Sequence, residues 1–385
     1  MSNLLNQIET EHRECELCGS DNLESLWGYE RLVKSSSKKW KFDVNNCICQ
    51  NCGFVFVSPG YTESSLAQYY ADSRTYYIID YDIEKRLSIV TRYASKNKRY
   101  LEIGAKQKTK FHDDLTLHFS RVETQGLEES SNCDVSDVED ISNETIDVLA
   151  HYFVLEHIPN IKKFLKNCWD LMKFGGVMIV EVPDINKYPS DIAALMLYEH
   201  TNHFSLKSLA NICFQVGFEL IESDIDNASR PFGMVAVFKK IPISINSIRI
   251  CNEDYHASKN AFLGGLSLVH KYYGKVSKVR EEIYRRLTLS EKIIVWAAND
   301  VSDTLIGKTD LISHITIIDS DPKKIDFFDN KVVKTPEQAA FEISEADFIV
   351  ICTGQWSLQI LKSIEDKYAK VFSNDNIEIL DYYFG

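Results

Sequence analysis

The chain has 385 residues, of which 44% are hydrophobic and 26% charged, and its formal net charge is −13. This length exceeds one ordinary core, and the composition is typical of a globular protein. The acidic balance argues against nucleic-acid binding, because phosphate neutralisation requires a basic surface. No apolar run reaches the roughly 20 residues that span a bilayer, and the N-terminus lacks the pattern of a secretory signal. We therefore expect a cytoplasmic protein of two or three domains, monomeric or homodimeric, that binds neither nucleic acid nor membrane.

Two C-x2-C pairs stand near the N-terminus, with 30 residues between them, and a glycine directly follows each pair. Their cysteines are Cys15, Cys18, Cys49 and Cys52. Two such pairs can bring four thiolates to one tetrahedral zinc, and the glycines suit positive φ angles after the turns. The alternative is four buried cysteines without a metal. Because protein would fill all four positions, the predicted zinc is structural, and residues 1–60 are predicted to form a zinc-binding ribbon.

The rest of the chain alternates between helical patterns and short apolar strands. Residues 61–240 contain the strand candidates "RYLEIG", "RVETQGLE", "IDVLAHYFV", "GVMIVEVPD" and "FGMVAVFKK". Residues 241–290 have the apolar spacing of a helical connector. Residues 291–385 add "KIIVWAAND", "HITIIDSDPKK", "ADFIVICTG" and "AKVFSND". Alternation of this kind predicts an α/β protein with two mostly parallel, Rossmann-like sheets.

Two segments carry a family resemblance. "IDVLAHYFVLEHIPNIKKFLKNCWDLMKFGGVMIVEVPD" resembles the fourth strand, "LEHI" turn, helix and fifth strand of class I S-adenosylmethionine-dependent methyltransferases, and "YEHTNHFSLKSLANICFQVGFELIESD" fits the same family. With the zinc ribbon and a C-terminal "D-x-D-P-x-K" at 319–324, the chain is similar to three-domain nucleotide-sugar C-methyltransferases. The resemblance implies a class I methyltransferase domain over 61–240 and a further Rossmann-like α/β domain over 291–385.

The resemblance also implies a function. It implies S-adenosylmethionine-dependent methylation of a nucleotide-linked deoxysugar, at a carbon next to a keto group, with zinc as a second, structural cofactor. The alternative is a catalytically altered relative that binds or otherwise modifies a nucleotide sugar without methyl transfer. An NAD-dependent oxidoreductase is disfavoured, because "VWAAND" lacks a G-x-G-x-x-G turn.

The cofactor loop departs from the family pattern. Where the family has "E-I-G-x-G-x-G", Gly104 is followed by "AKQKTK". After Glu128, the counterpart of the ribose-binding acid, the chain reaches Asp147 with little room for the usual helix and third strand. The pocket is therefore either reshaped or lost, and we expect weakened cofactor binding. The cofactor-binding positions implied by the resemblance are Glu102, Gly104, Glu128, Phe153, Glu156 and His157.

The catalytic candidates also follow from the resemblance. It places the general base in the pair Glu199 and His200, and histidine suits this task because its ordinary pKa is near neutral. The alternative is that His200 only packs the loop before the next helix. Tyr70 and Tyr76 are candidates for donating a hydrogen bond to an enolate oxygen, although most tyrosines of this segment are expected to pack. For Glu156 and His157, a role in shaping the pocket and a role in lining the cofactor both remain open.

Overall fold

The computed structural model describes residues 5–34, 38–72, 81–126, 133–135, 141–224, 226–242, 252–328, 331–354, 356–368 and 376–381. The chain divides into two compact units. The first comprises Met1–Pro189 and Ala194–Gly265, and the second comprises Ser190–Ala193 and Leu266–Gly385. None of the described helices is both long enough and apolar enough to cross a membrane.

The strands of the described chain, in order, are β1 (Leu5–Gln7), β2 (Thr10–Glu11), β3 (Leu23–Lys34), β4 (Lys39–Cys49), β5 (Val55–Val57), β6 (Gly60–Tyr61), β7 (Arg99–Ile103), β8 (Arg121–Gln125), β9 (Ile146–Tyr152), β10 (Met172–Pro183), β11 (Asn202–His203), β12 (Phe218–Asp224), β13 (Gly233–Lys240), β14 (Ile293–Trp296), β15 (Thr316–Ile318), β16 (Phe348–Ile351) and β17 (Ile377–Ile379). The helices are α1 (Glu63–Asp72), α2 (Ile83–Val90), α3 (Lys110–Leu115), α4 (Ile161–Leu171), α5 (Leu206–Gln215), α6 (Asn252–Thr288), α7 (Asp300–Ser302), α8 (Ala340–Ser344) and α9 (Ser357–Tyr368).

The N-terminal sheet recruits a strand from far along the chain. It has the order β1-β4-β5-β11, with β3 paired to β4. Strand β11 pairs antiparallel with β5, so that Asn202 lies opposite Phe56 and His203 opposite Val55. This pairing fixes the loop that contains Glu199 and His200 against the N-terminal sheet.

A six-stranded sheet forms the core of the first unit, in the order β12-β13-β10-β9-β7-β8. Strands β8, β7, β9 and β10 are parallel, and β13 runs antiparallel between β10 and β12. The five strands predicted for this region are confirmed, whereas β12 was not predicted. Beyond β8 the described chain adds one bridge, between Gln125 and Val135. In the described residues, therefore, no full strand follows β8 at this edge of the sheet, in agreement with the short segment between Glu128 and Asp147.

Helix α4 follows its apolar spacing. Asn160 caps it by accepting a hydrogen bond from the Lys163 amide. Its buried positions are Ile161, Leu165, Cys168 and Leu171. These positions are three or four residues apart, so they lie on one face, which packs into the same apolar core as β9 and β10. The amphipathic helix predicted after the "LEHI" turn is confirmed.

The second unit contains a four-stranded parallel sheet in the order β15-β14-β16-β17. Three of its strands were predicted, and the connector helix is observed as α6. The fourth predicted strand, "AKVFSND", lies outside the described residues, and β17 comes shortly after it. The central strands β14 and β16 are buried along their whole length, as expected for a parallel sheet.

Candidate functional site

Four cysteine sulfurs converge in the N-terminal part of the first unit. Cys15 Sγ lies 3.5 Å from Cys52 Sγ, and Cys18 Sγ lies 3.5 Å from Cys49 Sγ. All four sulfurs lie within 4.8 Å of one another. In a tetrahedral zinc site with zinc–sulfur bonds of about 2.3 Å, the sulfurs are about 3.8 Å apart. This four-cysteine cluster could therefore hold one zinc ion.

The glycines after the two cysteine pairs have the predicted backbone conformation. Gly19 has φ of 71° and Gly53 has φ of 73°. The Gly19 amide donates to the Cys15 carbonyl at 2.6 Å, and the Gly53 amide donates to the Cys49 carbonyl at 2.8 Å. A Cβ atom at Gly53 would lie 2.5 Å from the Asp254 backbone. Both turns thus require a conformation that glycine adopts without strain.

A cavity of about 600 Å³ lies at the carboxyl ends of β7 and β9. Its walls include 104–106 after β7, 153–154 and 157–160 after β9, and residues of α1 and α4. Ligands of open parallel sheets bind at this end of the strands, and small-molecule pockets typically measure about 300–1,000 Å³. The cavity therefore has the position and size of a small-molecule site.

The loop after β7 lines this cavity with a single left-handed residue. Gly104 has φ of 80°, and no residue of the described stretch 105–110 has a positive φ. The amides of Gly104 and Ala105 both donate to the Gln125 carbonyl, at 2.9 and 3.0 Å. The chain thus passes the missing glycines without backbone strain. It also directs these two N–H groups toward β8.

Glu102 belongs to a buried network on the α3 side of the sheet. Its Oε2 atom lies 3.0 Å from His112 Nε2 and accepts a hydrogen bond from Tyr100 at 3.4 Å. Residues 104–106 line the cavity, whereas Glu102 is not part of its wall. The geometry therefore gives Glu102 a role in fixing α3 to the sheet.

Phe153 begins the turn after β9 in a left-handed conformation, with φ of 56°. Its amide donates to the Glu181 carbonyl at 2.7 Å, and its ring lies under the Arg230 guanidinium. Such a conformation costs roughly 1–2 kcal/mol for a non-glycine residue. Phe153 and His157 both line the cavity. The turn after β9 therefore forms part of the cavity wall, as the loop after β7 does.

Glu199 lines the same cavity from the loop before β11. The Tyr69 hydroxyl donates to Glu199 Oε1 at 2.6 Å and lies 2.9 Å from the Tyr198 hydroxyl. Burial and the charge of Glu199 raise the pKa of Tyr69, so its phenol stays protonated. The Tyr70 hydroxyl lies 3.4 Å from His157 Nδ1. Two tyrosines of α1 thus position the ionisable groups of the cavity wall.

Glu156 and His200 are buried behind His157. Glu156 has no exposed surface, and burial raises its pKa to about 8. Neither of its carboxyl oxygens has a hydrogen-bond partner among the described residues, and nor does His200 Nδ1. The His157 and His200 rings are 4.7 Å apart. Burial, and the charges of neighbouring histidines, lower the pKa of His200, so its ring is neutral.

The structure thus brings most of the predicted site residues into one region, while Glu102 lies apart from it. Those brought together are Gly104, Phe153, Glu156, His157, Glu199, His200 and Tyr70. Tyr76 and Glu128 lie outside the described residues. The sequence analysis did not single out Tyr69 as the partner of Glu199, because that contact joins residues 130 positions apart. It also did not single out Lys106, which lines the cavity.

Comparisons with known proteins add a family assignment for part of the chain. A family model described as "Methyltransferase domain" matches residues 68–223. Curated protein sequences gave no match. Similar solved structures include an S-adenosylmethionine-dependent methyltransferase from Archaeoglobus fulgidus, at 16% identity over 41% of this chain and 93% of that one, with a TM-score of 0.32. Another is the 1,6-didemethyltoxoflavin-N1-methyltransferase of Burkholderia thailandensis, at 14% identity over 46% and 87%, with a TM-score of 0.35.

The matched residues run from α1 to β12, and they contain both strand ends that open on the cavity. Residues 68–223 therefore match a methyltransferase domain with a Rossmann-like α/β core. The chain also carries an N-terminal sheet with the four-cysteine cluster and a second parallel sheet.

Proposed function

We propose that this protein is a methyltransferase that uses S-adenosylmethionine to methylate a nucleotide-linked deoxysugar at a carbon next to a keto group. One observation carries the proposal. Glu199 lines a cavity at the carboxyl ends of β7 and β9, and the buried Tyr69 phenol donates a hydrogen bond to its carboxylate. An ionisable group fixed in this way suits proton abstraction from a bound substrate.

The chemistry follows from the positions of the side chains. Glu199 would accept the proton from the carbon next to the ketone, leaving an enolate. When bound, S-adenosylmethionine would supply an electrophilic methyl group to the enolate carbon, with the electrons of the methyl–sulfur bond remaining on the sulfur. Tyr70 would donate a hydrogen bond to the enolate oxygen. Of the predicted pair, Glu199 lines the cavity, whereas His200 is only 3% exposed and lies behind His157.

Basic side chains on the cavity wall support an anionic substrate. Lys106 and Lys163 line the cavity, and Lys163 lies 3.0 Å from the carboxylate of Glu63. In a protein of net charge −13, a phosphorylated ligand requires local positive charge of this kind. Lys106 stands in the segment where the resembled family has glycine-rich backbone, so we propose that it contributes to binding the nucleotide-linked substrate.

The four-cysteine cluster completes the proposal as a structural zinc site. All four ligand positions would be filled by thiolates, which leaves no open position for a substrate. Cys15 and Cys49 are fully buried, and they pack in the same core as β7, β9 and β10. Zinc would therefore stabilise the part of the first unit on which β11 and the Glu199 loop depend.

The test combines binding with turnover. Calorimetry with S-adenosylmethionine and S-adenosylhomocysteine, repeated in the presence of nucleotide-linked 4-keto sugars, measures binding. Release of S-adenosylhomocysteine with a matching mass increase of the sugar measures transfer. The proposal expects both. Folded, zinc-loaded protein that binds neither compound, with or without the sugars, would reject methyl transfer.

One observation favours the second candidate, a relative that binds a nucleotide sugar without methylating it. The amides of Gly104 and Ala105 both donate to Gln125, so neither is directed to a ligand in the cavity. For this candidate we expect calorimetric heat with the nucleotide sugar and none with the methyl donor. The same experiment therefore separates the two functions.

A further inference from the structure

Three potential metal ligands meet at the inner wall of the cavity, away from the four-cysteine cluster. Glu156 and His157 belong to the turn after β9, and His200 belongs to the loop before β11. One ligand atom of each lies within 4.8 Å of those of the other two. The Thr201 amide donates to the Glu156 carbonyl at 2.7 Å, which ties the two segments together at this point.

The unpaired polar atoms of this cluster indicate a capacity to bind an ion. Both carboxyl oxygens of Glu156 and Nδ1 of His200 are buried and have no hydrogen-bond partner in the described chain. A buried polar group without a partner costs roughly 1–3 kcal/mol, and a buried charge costs more. Buried carboxylates are ordinarily paired or coordinate a metal. Since one ligand atom of each of Glu156, His157 and His200 lies within 4.8 Å of the other two, a cation bound among them would give this cluster the partner that it lacks in the described chain.

His157 is oriented as metal-binding histidines commonly are. Its Nε2 atom faces Glu156, 4.0 Å from Oε1, and its Nδ1 atom lies 3.4 Å from the Tyr70 hydroxyl. Metal-binding histidines use one ring nitrogen for the ion, while the other forms a hydrogen bond that fixes the ring. Tyr70 would supply that outer contact.

We propose that Glu156, His157 and His200 bind one divalent transition-metal ion. Two imidazoles and one carboxylate form the donor set of catalytic zinc sites and of sites with open positions for iron, manganese or cobalt. Because His157 lines the cavity, the ion's remaining positions would face it. The ion's role rests on the proposed function: a keto oxygen that takes an open position would share its developing negative charge with the ion.

The test uses the full chain with its four-cysteine cluster filled with zinc, and titrates it with Co²⁺ alone. Cobalt bound by thiolates shows an intense charge-transfer absorption that cobalt bound by nitrogen and oxygen lacks, so the two sites can be told apart. We expect one equivalent of Co²⁺ to bind with weak visible bands and without displacing zinc. Glu156→Gln and His200→Ala should each weaken this binding about ten-fold or more, and Tyr70→Phe should weaken it less.

A matched control is His12→Ala, since His12, Glu14 and Asp21 form an exposed group with similar ligand spacing. This variant should bind Co²⁺ like the wild type. Retained zinc and an unchanged circular dichroism spectrum establish that each variant is folded, and Tyr70→Phe, which keeps all three ligands, tests the site if His200→Ala does not fold.

Zinc-loaded wild type that takes up no Co²⁺ at millimolar concentration, or Glu156→Gln protein that binds it as the wild type does, would overturn the metal site. Neither methyl donor nor sugar is present in this titration. Wild-type protein that binds Co²⁺ but transfers no methyl group would therefore contradict the proposed function without contradicting the metal site.

Discussion

The mostly parallel sheet of the first unit and the parallel sheet of the second unit differ at the carboxyl ends of their strands. In the first unit, β7 and β9 end at a cavity of about 600 Å³, whose wall contains the ionisable groups of His157 and Glu199. In the second unit, Asp319 after β15 accepts hydrogen bonds from the Ala298 amide at 2.8 Å and from Lys324 at 3.1 Å. The crevice beside Asp319 measures about 40 Å³.

The difference shows that a Rossmann-like sheet does not by itself make a ligand site. In the second unit the polar groups at the strand ends satisfy one another, and Asn299 also donates to the Cys352 carbonyl at 2.7 Å. In the first unit, Glu156 and His200 have buried polar atoms that no residue of the described chain pairs with. Mutual satisfaction stabilises a fold, whereas unpaired groups leave capacity for a ligand. We therefore expect substitutions at the strand ends of the first unit to affect function, and those at the strand ends of the second unit to affect stability.

The largest effect is expected from Cys15→Ser. Structural zinc supplies about 10–16 kcal/mol of apparent binding energy in small zinc domains, and most of it is lost with one ligand. The first unit should lose zinc and unfold at a lower temperature. The second unit, which has its own apolar core, should keep its transition. Metal analysis and calorimetric melting check this, with Cys352→Ser as the control outside the cluster. One equivalent of zinc retained in Cys15→Ser would contradict the prediction.

Glu199→Gln tests the cavity at the strand ends of the first unit directly. The amide keeps the size of the side chain and removes the proton acceptor, so we expect turnover to fall about 10²- to 10⁴-fold. The melting temperature should change little, because the side chain lines a cavity. Release of S-adenosylhomocysteine is the measurement, and Glu219→Gln on the exposed side of β12 is the matched control. Wild-type turnover in Glu199→Gln would remove Glu199 from the chemistry.

Asp319→Asn applies the same change, from carboxylate to amide, at the strand ends of the second unit. Asp319 is 8% exposed, and its two oxygens accept from the amides of Ala298 and Asp321 and from Lys324. An amide cannot accept all three bonds, so we expect a loss of about 1–3 kcal/mol in the unfolding free energy of the second unit. Methyl transfer should be unchanged. Denaturant unfolding compares it with Asp366→Asn on the exposed part of α9, and equal stabilities would contradict the contrast between the two ends.

The sequence predicted most strands of both sheets, because buried strands are continuous apolar runs, but it did not predict β12 or β17. It also predicted the positive φ of Gly19 and Gly53, because those turns are local. The partners of the site residues could not be predicted in the same way, since Tyr69 meets Glu199 only after β11 joins the N-terminal sheet. Glu102 illustrates the converse. Its position in the "LEIG" motif predicted a role in cofactor binding. In a strand, however, side chains alternate between the two faces of the sheet, and the Glu102 side chain lies on the face that packs against α3.

Gly104→Ala is expected to affect the cavity of the first unit less than Glu199→Gln does. Gly104 has φ of 80°, a conformation that costs other residues roughly 1–2 kcal/mol. The loop should shift and bind S-adenosylmethionine more weakly, while Ala105→Gly, next to it and without a positive φ, should change binding little. Calorimetry with S-adenosylhomocysteine measures both variants. Equal affinity in Gly104→Ala and the wild type would mean that this backbone does not approach the ligand.

The smallest effect at neutral pH is expected for His151→Leu in β9. His151 is fully buried, neither of its ring nitrogens has a hydrogen-bond partner among the described residues, and burial lowers its pKa from 6.5 to about 3. The unfolded chain takes up this proton near pH 6.5, whereas the folded protein takes it up only near pH 3. The contribution of His151 to stability is therefore complete above pH 6.5 and is lost as the pH falls below it. Leucine has no such proton, so the stability of the variant relative to the wild type should increase steadily from pH 7 toward pH 4. Denaturant unfolding over this range measures the difference, with the exposed His256→Leu as the control. Parallel pH profiles for His151→Leu and the wild type would show that this ring does not titrate as its burial requires.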